Sequence, residues 1–231
     1  MTILEGKRIL VTGATGVLGS AIARMLTDRG ASVVHSARNT ERLTSLSAPG
    51  EKFGVDLSAP TAGAALIAAV TATGPVDGIV CAHGVVAFGP VATVSPESAA
   101  QVISINQSSV IEIIAAAVPS LKASADTGRE PFVLTISGVI SENPVAGMSV
   151  YGSSKSGLRA FIEAAARELR RDKIRVLDTR PPHTETGLAG RAVAGTSPAF
   201  PAGLDPEFVA QRIVDAIVND DKDVPSSAFS G

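Results

Sequence analysis

The sequence predicts an α/β protein, a single domain spanning 1–231 in which a doubly wound parallel sheet lies between two layers of helices. Three observations point there. Short apolar runs alternate with stretches of three- and four-residue apolar spacing along the chain, the strand-then-helix order that a parallel sheet needs. The first strand and first helix are joined by a turn carrying Gly13, Gly16 and Gly19. The chain has 231 residues, 45% of them apolar, enough for a large core with both sheet faces covered.

The first strand is the run Arg8-Ile9-Leu10-Val11, and helical spacing starts at Ser20-Ala21-Ile22. Gly13 permits the sharp turn, Gly16 lets a phosphate approach the backbone, and Gly19 lets the helix pack close to the strand. Backbone N–H groups and the positive end of the helix dipole would then form an anion site. A glycine-rich turn with no ligand reads the same way. The second strand covers 31–37, with Val33 and Val34 inside, and runs out at Ala37-Arg38 instead of a carboxylate. A guanidinium there favours a nucleotide 2′-phosphate; otherwise Arg38 is a solvated strand-end residue, and Arg42 fits either account.

Residues 41–47 form a short helix, and 53–57 a third strand holding Asp56. Asp56 either accepts from an adenine amine or serves as a turn and cap residue before Ser58-Ala59-Pro60. The alanine-rich helix 61–73 packs on the sheet. The fourth strand, 77–81, runs into Ala82-His83-Gly84 and faces the first glycine turn across the crevice where open α/β sheets bind ligands. His83 reads as a hydrogen-bonded loop residue, not as a base.

Ser95 caps and Pro96 opens a long helix, 96–124. Its Val102, Asn106, Val110, Ile113, Ala117 and Leu121 share a face. Asn106 is therefore a polar residue on an apolar face. An unpartnered buried amide costs about 1–3 kcal/mol, so it needs a partner, either structural or in a functional relay. The fifth strand, 131–136, ends at Ser137-Gly138. After Pro144 and Gly147 a helix runs from about 150 to 171, with Leu158, Phe161, Ile162, Ala165 and Leu169 inward. The sixth strand, 174–178, leads into Arg180-Pro181-Pro182-His183-Thr184-Glu185-Thr186. Residues 187–204 lack periodicity and form a mobile flap, whose Leu188, Val193, Phe200 and Leu204 suggest an apolar lining. Asp205-Pro206 caps a last helix, and 223–231 offers at most a short edge strand.

Composition excludes several function classes. The formal net charge is −2 and no Lys/Arg run exceeds two residues, so neither nucleic acid nor an anionic membrane is an expected partner. The single cysteine, Cys81, cannot form an internal disulfide and suits a reducing compartment. No basic-then-apolar leader opens the chain and no apolar run reaches membrane-spanning length, so the expected setting is cytoplasmic. His35, His83 and His183 are too dispersed for a metal site, and none is expected.

Tyr151 is the only tyrosine, and Lys155 lies one helical turn further on. A phenol can give a proton to a substrate oxygen, but its unperturbed pKa is about 10, and a neighbouring ammonium would lower it. Beside a nicotinamide ring, such a pair could protonate a ketone as hydride reaches its carbon, or run in reverse.

Thr12-Gly13 with Gly19, Arg38, Asp56-Leu57, the Ala82-His83-Gly84 turn, Asn106, Ile136-Ser137, Tyr151-x-x-x-Lys155 and Pro181 with Thr186 together resemble the short-chain dehydrogenase/reductase family over nearly the whole chain. The resemblance implies a Rossmann-type fold and a nicotinamide cofactor. With Arg38, NADP(H) is the expected form and NAD(H) is possible. It implies a small carbonyl or alcohol substrate and a homodimer or homotetramer built on the two long helices. Tyr151 would be the general acid/base. Lys155 would hold the nicotinamide ribose and lower the tyrosine pKa, and Asn106 would anchor a water in a proton relay. Thr186 would contact the carboxamide. The cofactor would lie against Gly13, Thr15, Gly16, Leu18, Arg38, Asp56, Leu57, Ala82, Gly84, Tyr151, Lys155, Pro181 and Thr186.

Four departures from the family pattern stand out. Val17 occupies the family's middle-glycine position, and Gly16 precedes it. Cys81-Ala82-His83-Gly84 replaces Asn-Asn-Ala-Gly, and Pro181-Pro182 replaces Pro-Gly. Thirteen residues before the tyrosine, where the family's substrate-orienting serine lies, this chain has Gly138. Either Ser137 reaches the site because the strand has ended, or Ser141 substitutes, or catalysis is weak. The last option defines a second class, an NADP-binding sensor or partner protein with little turnover. Retention of Tyr151 and Lys155 weighs for the oxidoreductase.

Overall fold

A computed structural model describes residues 1–230. Among the described residues the strands are β1 (Arg8–Thr12), β2 (Ser32–Ala37), β3 (Lys52–Gly54), β4 (Gly78–Cys81), β5 (Phe132–Ile136), β6 (Arg175–Thr179) and β7 (Asp223–Val224). They form one sheet in the order β3-β2-β1-β4-β5-β6-β7, parallel at every pairing. The chain builds outward from β1 to β3, then returns to the other side of β1 at β4. That reversal opens a crevice at the C-terminal ends of β1 and β4. The helices are α1 (Val17–Asp28), α2 (Thr40–Thr44), α3 (Ala62–Ala72), α4 (Pro96–Ile103), α5 (Ser109–Asp126), α6 (Ser149–Leu169) and α7 (Pro206–Val218).

Strand register sorts the apolar residues into two cores. Val34, Leu10, Ile79, Val133 and Val176 stand opposite one another across five strands and pack under α3, α5 and α6. Neighbouring positions point to the other face, as the two-residue strand period requires. There Val11, Val80, Leu134 and Leu177 pack under α1 and α7, with Ile22, Leu26, Ile213 and Ile217. The expected doubly wound, three-layer arrangement is the one observed.

The differences lie at element ends. β3 stops at Gly54, short of 57, because Asp56 turns the chain: its Oδ1 accepts from Ser58 N at 3.0 Å and Ser58 Oγ at 2.8 Å. α2 is capped by Asn39, whose side chain accepts from Arg42 N at 2.8 Å, and it stops before 47 as Lys52 Nζ takes the Thr44 and Leu46 carbonyls. The single helix expected over 96–124 is α4 and α5 joined by a π turn at Ser104–Ser108. Counted as one run, Pro96–Asp126 is long and apolar enough to cross a membrane by length and composition, contrary to the sequence expectation. Val102, Ile113, Ala117 and Leu121 are fully buried in the protein core, which accounts for much of that apolar content.

The flap is tied to the body at its middle and at its C-terminal end. Val193 N donates to Val86 O and Phe88 N to Ala194 O, each at 2.9 Å, forming a parallel bridge at Ala87 and Ala194. Gly195 is needed there, because a Cβ would come within 1.9 Å of Phe88 O. A second bridge pairs Thr184 with Leu204.

Candidate active site

The crevice is a cleft of about 940 Å³. Gly13, Thr15, Gly16, Leu18, Arg38, Asp56, Leu57, Ala82, Gly84, Ser137, Tyr151, Lys155, Pro181 and Thr186 all border it, so one cavity collects every expected site residue except Asn106.

At one end the chain turns sharply from β1 into α1. Gly13 has φ +71°, and a Cβ on it would sit 2.8 Å from the His83 backbone. A Cβ on Gly19 would sit 2.3 Å from Gly13 O, so only hydrogen fits between turn and helix. Gly16 is the N-cap of α1. It supplies no capping side chain, and the first turn holds no acidic residue, which leaves a receptive helix N-terminus beside the cleft. β2 contributes Ser36 and Ala37 and is followed by Arg38, Asn39 and Arg42 at the cleft wall. Ser36 Oγ is buried without a partner. Asp56 faces the same end, and its hydrogen bonds from Ser58 hold its carboxyl below the usual range, with Arg38 adding a smaller pull. Its turn role is thus visible directly.

At the other end stand Tyr151 and Lys155. Burial raises the Tyr151 phenol to about 12 and lowers the Lys155 ammonium to about 8. Burial alone sets the direction for the tyrosine, and the expected lowering by the lysine is absent. Lys155 Nζ lies 6.0 Å from the ring centre and donates instead to Ile136 O at 2.7 Å. Asn106, in the π turn, lies behind the cleft wall. Its Nδ2 donates to Val85 O at 2.9 Å and Ser154 Oγ at 3.0 Å, and its Oδ1 accepts from Val85 N at 2.9 Å. The partners required by burial are therefore the 85 backbone and Ser154 of α6.

Ser137 lies in the cleft wall but is buried, and its hydroxyl donates to Asp178 Oδ2. Ser141 Oγ lies 3.0 Å from it and donates to Gly138 O at 2.8 Å, so that hydroxyl is committed as well. Gly138 has φ +74° and ψ 163°, a region open essentially only to glycine. His83 is the hydrogen-bonded loop residue expected. Ser109 Oγ donates to Ile105 O at 2.8 Å, so the 2.9 Å contact has His83 Nε2–H donating to Ser109 Oγ. Thr12 Oγ1 then donates to Nδ1 at 2.6 Å. Burial lowers its pKa to about 4, so the ring is neutral.

Around Tyr151 lies an apolar wall of which the flap residues were expected and the rest were not. Val86, Phe88, Ile140 and Met148 cluster with Tyr151, Leu188 and Phe200. Of the flap residues expected to line it, Leu188 and Phe200 do. Val193 is spent on the bridge to Val86, and Leu204 packs into the α1/α7 core. Also unforeseen was a buried charge network behind the site. Arg180 donates to Glu142, to Asp178 Oδ2 at 3.2 Å, and to both Asp223 oxygens at 2.6 and 2.7 Å. Asp178 at the end of β6 and Arg180 just beyond it, two charges in the short run Asp178-Thr179-Arg180, were the available signal.

Residues 7–196 match the family model described as short chain dehydrogenase. Among curated proteins, the chain is 31% identical over 228 residues to the glycine betaine reductase ATRR of Emericella nidulans, covering 93% of this chain but 18% of that protein. A metagenomic short-chain oxidoreductase solved in complex with NADP superposes with a TM-score of 0.78 at 28% identity, covering 97% of this chain and 98% of the other. The 3-ketoacyl-(acyl-carrier-protein) reductase of Brucella melitensis, complexed with NADH, has the same fold: TM-score 0.85, 22% identity, 98% and 100% covered.

Proposed function

The chain belongs to the short-chain dehydrogenase family, and on that premise we propose that it is an NADP(H)-dependent oxidoreductase acting on a carbonyl or alcohol carbon, with Tyr151 as general acid/base. The observation that carries this reading is the single cleft bordered by the glycine turn at one end and by Tyr151 and Lys155 at the other. The residues fit a dinucleotide. At Gly13 and Gly16 a side chain would press on the neighbouring backbone, so the turn stays tight beside the cleft; the helix N-terminus above it is uncapped, and Arg38 stands where a carboxylate would select against a 2′-phosphate.

When bound, the nicotinamide would supply or accept the hydride. The chain's own residues do the rest. The α1 N-terminus and the turn at Gly13, Thr15, Gly16 and Leu18 hold the diphosphate, and Arg38 and Arg42 complement the 2′-phosphate. Asp56 would accept from the adenine amine, Thr186 would contact the carboxamide, and Leu57, Ala82, Gly84 and Pro181 would line the rest of the nucleotide site. Tyr151 gives its proton to the carbonyl oxygen in reduction and takes it from the alcohol in oxidation. The Lys155 ammonium stabilises the phenolate that forms. Val86, Phe88, Ile140, Met148, Leu188 and Phe200 exclude water and favour a substrate with an apolar body. A cytoplasmic homodimer or homotetramer completes the reading.

Titration with NADPH and NADH, followed by a panel of carbonyl and alcohol compounds monitored by nicotinamide absorbance, tests it. The expected result is tighter binding of NADPH and turnover of at least one compound. No binding of either nucleotide contradicts it, and binding without turnover across the panel favours a sensor instead.

A further inference from the structure

Asp178 and Arg180 stand directly behind the site, and the reaction above uses neither. Both are almost fully buried, 3% and 2% exposed. The Asp178 carboxylate takes four donors. Thr135 Oγ1 at 2.8 Å and Ser137 N at 3.2 Å reach Oδ1, while Ser137 Oγ and Arg180 Nη1, the latter at 3.2 Å, reach Oδ2. A carboxylate has about four lone-pair sites, so every one faces a donor and none is left for a proton. Burial is the largest influence and leaves its pKa raised, while these four donors oppose the rise and favour the anion.

The Ser137 N–H belongs to the same peptide unit as the Ile136 carbonyl that accepts from Lys155. No peptide among the described residues is cis, and in a trans unit N–H and C=O point in opposite directions. The Ser137 N–H is shared between Thr179 O at 3.0 Å and Asp178 Oδ1 at 3.2 Å, so the positive end of this peptide dipole faces the carboxylate as well as a strand carbonyl, and its negative end meets the ammonium. Inside a protein such a charge–dipole–charge chain is strengthened at both ends, and loss of either charge weakens the other contact.

We propose that Asp178 is a positioning residue that acts through the 136–137 peptide to keep Lys155 charged and in place beside Tyr151. The role rests on the catalytic reading of Tyr151 and Lys155 given above. The titratable groups facing Lys155 are Tyr151 on its own helix, Cys81 and His83 from β4 and its turn, and Asp178 from β6. Burial raises Cys81 to about 12 and lowers His83 to about 4, so both are neutral near pH 7. Among the described residues Asp178 is then the anion that acts on Lys155, and Arg180 is balanced by Glu142 and Asp223.

Asp178→Asn keeps an oxygen acceptor and the side-chain shape but removes the charge. The measurement is the Lys155 titration midpoint, read by NMR of 13C-labelled lysine side chains in nucleotide-free protein, with the signal assigned by its loss in Lys155→Met. The expected midpoint, about 8 in the parent, falls by about one pH unit in Asp178→Asn. The alkaline limb of kcat/KM for reduction moves down with it. Asp223→Asn removes another carboxylate from Arg180 without touching the peptide and should leave the midpoint in place. An unchanged midpoint in folded Asp178→Asn, or equal shifts in both variants, overturns the proposal. Should Asp178→Asn not fold, the parent suffices: the Asp178 carboxyl 13C signal should step at the Lys155 midpoint, and a flat signal overturns it. A shifted midpoint in a protein that binds no nucleotide would sink the catalytic reading while leaving the Asp178–Lys155 coupling intact.

Discussion

Tyr151 holds its proton across the physiological range, because burial raises its pKa to about 12 and the Lys155 ammonium is bonded elsewhere. A protonated phenol suits proton donation to a carbonyl, the reductive direction. The sequence places the pair but cannot see that Lys155 reaches Ile136 O, because that contact joins α6 to the end of β5. The missing serine is also decided at single residues. A Cβ at Gly138 has room, with Pro181 O 3.8 Å away, but the backbone there is in a glycine-only region. Gly138→Ser is therefore expected to lose about 1–3 kcal/mol of stability. That loss lowers Tm by about 2–4 °C per kcal/mol. A calorimetric Tm equal to the parent's would contradict this account of the backbone.

Among the elements, α1 and its glycine turn were the most legible, since three glycines between a strand and a helix constrain the backbone locally. The turn depends on closeness: at Gly19 a Cβ would lie 2.3 Å from Gly13 O. Gly19→Ala is expected to push helix from strand, costing about 1–3 kcal/mol, and to weaken NADPH binding at least about tenfold. Gly190→Ala in the flap meets nothing within 4 Å and should change neither quantity. Equal NADPH affinity in both variants, read by fluorescence titration, would show that the turn does not grip the nucleotide. The π turn in the long helical run was not legible. The apolar spacing of 96–124 continues through it, and Asn106 finds its partners on the 85 backbone and α6, both distant in sequence. The bridges that tie the flap to the body were not legible for the same reason: no periodicity announces two single-residue parallel bridges.

Across the whole molecule, strand order and both cores follow from apolar alternation, which is why the sheet and its crevice could be expected in advance. The cleft brings together residues from Gly13 to Thr186 that local patterns identify one by one. The Asp178–Arg180 network escaped because its meaning lies in which peptide it touches, a matter of tertiary position. The account's central claim is that the phenol of Tyr151 is the proton donor of this cleft. The most direct measurement is the Tyr151→Phe variant, assayed in parallel for NADPH affinity and for turnover of a compound the parent reduces. The account expects affinity within about twofold of the parent and turnover lower by about 10²–10⁴. Turnover near the parent's, with NADPH bound as before, would contradict it.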